Sequence, residues 1–204
     1  MDQADLEGEA VALLAAGGFD DDEPAPMVRL ARQLLGHERA VLTVHARSLP
    51  GDAALVRVLD EHRIYLRRGL DRTRARFAVA HELAEWALHR AGYQGEDVED
   101  VADRLAAALV LPARAYRRLR RIHGDDWAAI GEAATATEAH ACLRHGEVTG
   151  EPLALVARRL RVRGAPWAWP SERELRAVAA GRRERPGLHR VPLADRAHVA
   201  VVAA

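Results

Sequence analysis

The chain has 204 residues, 49% of them hydrophobic and 29% charged, with 30 arginines set against 30 acidic residues and no lysine. That balance excludes a disordered or collagen-like chain, and the missing lysine excludes lysine-dependent phosphate loops and Schiff-base chemistry. The length predicts one compact unit with an appendage. Cys142 is the only cysteine, so neither an internal disulfide nor a cysteine-rich zinc knuckle is available. The first residues are acidic (Asp2, Asp5, Glu7, Glu9), and no apolar run approaches the ~18 residues that span a bilayer. A cytoplasmic protein without a membrane partner is therefore expected.

Charge is unevenly placed. Residues 1–111 carry 13 arginines against 20 acids, and residues 112–204 carry 17 against 10. Basic clusters at Arg114, Arg117, Arg118, Arg120, Arg121 and at Arg158, Arg159, Arg161, Arg163 suit either a solvated helix face or an anionic partner, nucleic acid included.

In chain order, residues 4–16 predict a short helix that ends at Gly17-Gly18, and an acidic linker bearing Pro24 and Pro26 follows. This segment reads as peripheral. Residues 27–35 have helical spacing (Val28, Ala31, Leu34, Leu35) and stop at Gly36. Three β-type runs come next, at 41–45, 55–59 and 64–66. Two long helices are expected from about Asp71 to Arg90 and from about Glu96 to Leu111, separated by Gly92 and Gly95 and closed by Pro112. Shorter helices at 113–122, 126–133 and 137–145 precede an extended run at 153–162. The stretch 126–150 is a weak helix-turn-helix candidate. Pro166-Trp167-Ala168-Trp169-Pro170 predicts a loop, Ser171 a helix cap, and 188–193 with 198–202 a hairpin around Ala194-Asp195. The expected organisation is an acidic N-terminal helix and linker (1–24), a main domain (25–163) and a C-terminal helix and hairpin (164–204).

The informative feature is the angular layout of residues 77–90. At about 100° per residue, Val79, Ala80, Leu83, Ala84, Trp86, Ala87 and Leu88 fill most of the circle, which predicts a largely buried helix. His81, Glu82, Glu85 and His89 share the remaining wedge with Ala78. Buried ionisable groups need partners, so the wedge faces a cleft, a cation, or arginines such as Arg72, Arg74, Arg76 or Arg104. The run from Arg76 to Trp86 is close to the His-Glu-x-x-His helix of zinc peptidases, in which two histidines one turn apart bind metal and the Glu serves as general base. Here Glu85 stands at the second His position, and a carboxylate there still reaches an ion shared with His81. His89, two turns away, is too distant and is expected at the helix end or cleft rim. A third ligand is expected from the next helix at Glu99, whose face continues through Asp103, with Ala102 and Ala106 permitting close contact.

On these residues the sequence resembles the ImmA/IrrE family of metallopeptidases. The likeness spans roughly residues 26–162 and rests on Arg76-Phe77-Ala78-Val79-Ala80-His81-Glu82-Leu83, on Leu88-His89, and on the stretch from Glu99 to Pro112. It implies an α+β fold: a mostly helical, zincin-like metallopeptidase domain with a small β-sheet, followed by a short α/β extension. It implies His81 and Glu99 as metal ligands and Glu82 as general base. The family's second histidine is replaced by Glu85, and the asparagine of its second helix by Asp103. Zn²⁺ is the first expectation, and the oxygen-rich donor set makes Mn²⁺ or Fe²⁺ rivals. The implied activity is endopeptidase cleavage of a regulatory protein such as a helix-turn-helix repressor. The alternatives are a catalytically degenerate binding or regulatory module and, less favoured, a DNA-binding regulator. Tyr93, His89 and His123 are oxyanion candidates by residue type only. Cys142, in a helical context without an activating partner, reads as a packed residue. Ser48 and Ser171 lie in no nucleophile elbow, which excludes serine hydrolase chemistry.

Overall fold

The computed structural model describes residues 1–45, 49, 51–151, 153–156, 160–163, 172–181, 188–193 and 199–203. The expected loop around Trp167 and Trp169, the Ser171 cap, the turn at Ala194-Asp195, and Arg158 and Arg159 of the second basic cluster lie outside the described residues. The fold is α+β, mostly helical with small sheets, as expected. The chain divides into two compact units, residues 1–115 with 134–136, and residues 116–133 with 137–204.

The first unit opens with α1 (Gln3–Ala16), started by a reciprocal capping box between Asp2 and Asp5. Helix α1 is not peripheral. Leu6 and Leu14 are fully buried, the helix packs on α4 (Val98–Val110), and Arg104 donates to Gln3 at 2.9 Å. Helix α2 (Met27–Leu35) buries Met27, Leu30 and Ala31, whereas Val28 is exposed. Its apolar face is thus rotated from the one read in the sequence. Strands β1 (Val41–Val44), β2 (Ala53–Val58) and β3 (Glu61–Arg67) form a sheet in the order β1-β3-β2. β1 runs parallel to β3 and β2 antiparallel, with Ile64, fully buried, opposite both Val41 and Leu55. β2 is therefore an edge strand. The β2–β3 register leaves a two-residue turn, Leu59-Asp60, and Leu59 adopts a left-handed φ of 58° there.

Helix α3 (Arg72–Arg90) begins at Asp71, whose carboxylate accepts from the Arg74 amide at 2.9 Å. It ends in a Schellman arrangement: the Tyr93 amide donates to the Leu88 carbonyl and the Gly92 amide to that of His89, with Gly92 at φ 75° where a side chain would be strained. α3 packs most extensively on α4. Ala80, Ala84, Ala102 and Ala106 are all fully buried, and small side chains let the two backbones approach. Arg76 anchors this core by donating to the carbonyls of Ala25, Val110 and Ala134.

The second unit contains most of α5 (Ala113–His123), α6 (Trp127–Ala134), α7 (Glu138–Thr149) and α8 (Glu172–Ala179). Its four-stranded antiparallel sheet has the order β5-β4-β7-β6, made of β4 (Leu153–Val156), β5 (Leu160–Arg163), β6 (Leu188–Pro192) and β7 (Val199–Ala203). The run 153–162, read as one extended segment, is two antiparallel strands. β6 and β7 pair as expected but join the same sheet, because β7 pairs with β4. Within this unit Tyr116, His145 and Glu151 form a hydrogen-bonded chain, with 2.8 Å from the Tyr hydroxyl to Nδ1 and 2.7 Å from Nε2 to the carboxylate. Every residue of α7 is buried or half-buried. Cys142 is fully buried on α7, and burial pushes its thiol well above the ordinary range.

Candidate metal centre

Two helices bring the predicted residues together. On α3, His81 and Glu85 are one turn apart and project from the same face; on α4, Glu99 and Asp103 repeat that spacing. His81 Nε2 lies 3.4 Å from Glu85 Oε1 and 3.6 Å from Glu99 Oε2. One donor atom from each of His81, Glu85 and Glu99 falls within 4.8 Å of the others. The other ring nitrogen is engaged separately: His81 Nδ1 is 3.0 Å from Asp103 Oδ1.

The electrostatics follow from this crowding. Asp103 first and Glu85 second hold the imidazolium, raising the His81 pKa to about 10 against the opposing effect of burial. His81 in turn holds Glu85 below the usual carboxylate range. Glu82 is buried, and burial followed by repulsion from Glu85 raises its pKa. That rise is resisted by the Leu55 main-chain amide, which donates to Glu82 Oε2 at 2.6 Å.

The donor set suits a divalent cation. It offers one imidazole nitrogen whose partner nitrogen is fixed by an acceptor, two carboxylates, and a solvent-facing side, since Glu99 is 77% exposed. Three or four carboxyls this close cannot all remain ionised without positive charge among them.

Three of the four arginines that would have made the wedge an ion-pair network are engaged elsewhere. Arg74 pairs with Asp52, Arg76 with main-chain carbonyls and Arg104 with Gln3. His89 is exposed at the end of α3, outside the cluster. The Tyr93 hydroxyl donates to Asp97 at 2.7 Å, and His123 belongs to the second unit.

Sequence reading missed two contacts. The Asp103–His81 bond was legible in principle, since Asp103 lies one turn beyond Glu99. The Leu55 amide on Glu82 was not, because a main-chain group carries no side-chain signature.

A His-Glu-x-x-Glu helix thus lies beside a helix bearing a further Glu, and the family of the chain makes it a metallopeptidase-like or regulatory module. The chain belongs to the Peptidase_M78 family, the IrrE N-terminal-like domain, whose model matches residues 38–144. That match contains the three-stranded sheet and both site helices. The fold is similar to that of a Mycobacterium tuberculosis transcriptional regulator, with a TM-score of 0.57 at 16% identity, covering 92% of this chain. The chain spans 64% of the length of that regulator. No curated protein matches the sequence. The family is typically metal-dependent. Among the described residues no helix is long and apolar enough to cross a membrane.

Proposed function

We propose that the protein is a metal-dependent endopeptidase acting on a regulatory protein, with a helix-turn-helix repressor as the partner that the family resemblance implies. The observation that carries this reading is the convergence of His81, Glu85 and Glu99 on two touching helices, with the buried carboxyl of Glu82 on the same α3 wedge. Zn²⁺ is the first candidate for the ion, with Mn²⁺ or Fe²⁺ as rivals because two of the three donors are hard oxygens. Such an ion, when bound, supplies Lewis acidity to a scissile carbonyl and to a water.

The chain's own residues supply the rest. His81 presents Nε2 toward Glu85 and Glu99 while Asp103 takes Nδ1. Glu82 accepts the proton of the attacking water and returns it to the leaving amine. The Leu55 amide holds one of its oxygens and so orients the other, and burial raises its proton affinity above that of an ordinary carboxylate, the direction a general base needs. The test combines elemental analysis, expected to find about one metal per chain, with Glu82→Gln, expected to keep the metal and abolish proteolysis. Metal-free protein with unchanged behaviour in that variant would end the reading.

Glu85 itself favours a second reading, a degenerate module that kept the fold for binding or regulation. Two anionic ligands neutralise more of an ion's charge and leave an associated water less acidic. In that case Glu85→His creates Zn²⁺ affinity that the natural chain lacks. Equal affinity in both forms counts against it.

A further inference from the structure

We infer that the outer face of α5 is a docking surface for the phosphate backbone of a nucleic-acid duplex, with Arg117, Arg118 and Arg121 as the contacting residues. The inference goes beyond the metal centre and does not depend on it. Helix α5 reads Ala-Arg-Ala-Tyr-Arg-Arg-Leu-Arg-Arg-Ile-His and holds no acidic residue. At about 100° per residue, Arg118 and Arg121 lie within about 100° of Arg117, on the side opposite Tyr116 and Leu119. Those two are buried, whereas Arg117 and Arg121 are exposed and Arg118 is half-buried. The apolar side therefore holds the helix to its unit and leaves the cationic side outward.

The charge on this face is not balanced from within. The neighbouring carboxylates are taken by other arginines, Asp21 by Arg114, and Asp125 and Glu151 by Arg120. Among the described residues no acidic side chain pairs with Arg117 or Arg121, and these two, one turn apart, repel each other. The whole unit carries 16 arginines against 10 acidic residues. Anionic partners differ in what else they require. A protein needs an apolar centre to its interface and a lipid surface needs apolar side chains to insert, but the arc from Arg117 to Arg118 holds only arginine. A single strand needs exposed aromatic rings beneath its bases, and Tyr116, the one aromatic ring of α5 besides the terminal His123, is fully buried with its hydroxyl on His145. Duplex phosphates need only cationic donors in a row, and guanidinium groups grip phosphate oxygens in pairs. From Arg117 to Arg121 the helix rises about 6 Å, which matches two or three phosphates along one strand.

The test uses the full chain and a fluorescein-labelled DNA duplex of about 20 base pairs, with binding followed by anisotropy from about 50 to 200 mM salt. With two or three phosphates neutralised, the wild-type affinity is expected to fall roughly 10- to 40-fold over that range, and equally for two unrelated sequences. The double variant Arg117→Gln with Arg121→Gln is expected to bind weakly, with a salt effect below about 4-fold. Glutamine is a comparable helix former, so α5 keeps its circular dichroism signal. Replacing both residues by lysine keeps the charge and is expected to restore binding and its salt dependence. Arg57→Gln, at a side chain 65% exposed in the first unit, is expected to change neither. Failure of the wild type to bind duplex at about 50 mM salt overturns the assignment. So does an unchanged salt dependence in the double glutamine variant, or tighter wild-type binding to a single strand of the same length or to anionic lipid vesicles. None of these outcomes bears on the metal centre, which elemental analysis and Glu82→Gln address separately.

Discussion

Replacing Arg76 by Met should cost the first unit about 3–4 kcal/mol, far more than an arginine two positions away. The Arg76 guanidinium donates most closely to three main-chain carbonyls, those of Ala25, Val110 and Ala134, with that of Thr135 a longer fourth at 3.4 Å. Val110 is the last residue of α4, where the helix carries partial negative charge, so the cation is well placed even without a carboxylate partner. Burial lowers the Arg76 pKa to about 10, which leaves it charged at neutral pH. A methionine keeps the aliphatic stem but orphans the three acceptors. Each buried acceptor left unpaired costs about 1–3 kcal/mol, and water reaching a half-buried site reduces the sum toward its lower end. Arg74 provides the control. It makes a bidentate pair with Asp52, but its side chain is 58% exposed, so Arg74→Met should cost less than about 1 kcal/mol. Urea unfolding read by hydrogen exchange of α3 and α4 peptides separates the first unit from the second. A loss below about 1 kcal/mol for Arg76→Met, or equal losses for the two variants, would refute the clamp.

Four further outcomes follow from the same physics. Because Asp103 and Glu85 raise the His81 pKa to about 10 in the metal-free protein, metal uptake must expel a proton, and apparent affinity should climb about tenfold per pH unit from pH 7 to 9; a flat profile above pH 7 contradicts the shift. The sign reverses for stability without metal: His81 contributes fully below the unfolded imidazole pKa of about 6.5, and that contribution fades as pH rises through about 10, which thermal melts across this range would detect. Leu59 is 91% exposed with φ 58°, so Leu59→Gly should stabilise the hairpin by roughly 0.5–1 kcal/mol, the left-handed penalty less the entropy of glycine; a destabilised variant in chemical denaturation would show that the side chain holds the turn. Cys142 should react with a maleimide at least about 100-fold more slowly in the native than in the urea-unfolded protein, since burial both shields the thiol and keeps it protonated; prompt native labelling would contradict the packing of α7.

Much of the architecture was legible in the chain because local signals agreed with the final packing. Apolar periodicity delimited α3 and α4 to within two residues, Asp71 and Gly92 marked the ends of α3, and Gly36 marked the end of α2. The ligand candidates were legible for the same reason. His81 with Glu85, and Glu99 with Asp103, are pairs whose one-turn spacing defines a face before any fold is known. Errors arose where the deciding partner was distant in sequence. The face of α2 depends on which neighbours it meets, so its exposed valine could not be told from a buried one. The run 153–162 looked continuous because apolar residues recur in both strands, throughout Leu153–Val156 and, alternating with arginine, at Leu160 and Val162.

What the sequence determined by itself was the chemistry on offer: an arginine-only basic set, one cysteine, and a helix whose titratable side chains gather in one wedge. What only the tertiary structure decided was how those groups are used. It sent Arg74, Arg76 and Arg104 away from the wedge, gave His81 Nδ1 to Asp103, and set the edge of β2 against Glu82. Periodicity places a side chain on a face, but the partner it meets there is supplied by residues tens of positions away, and that pairing exists only once the helices and sheet have packed.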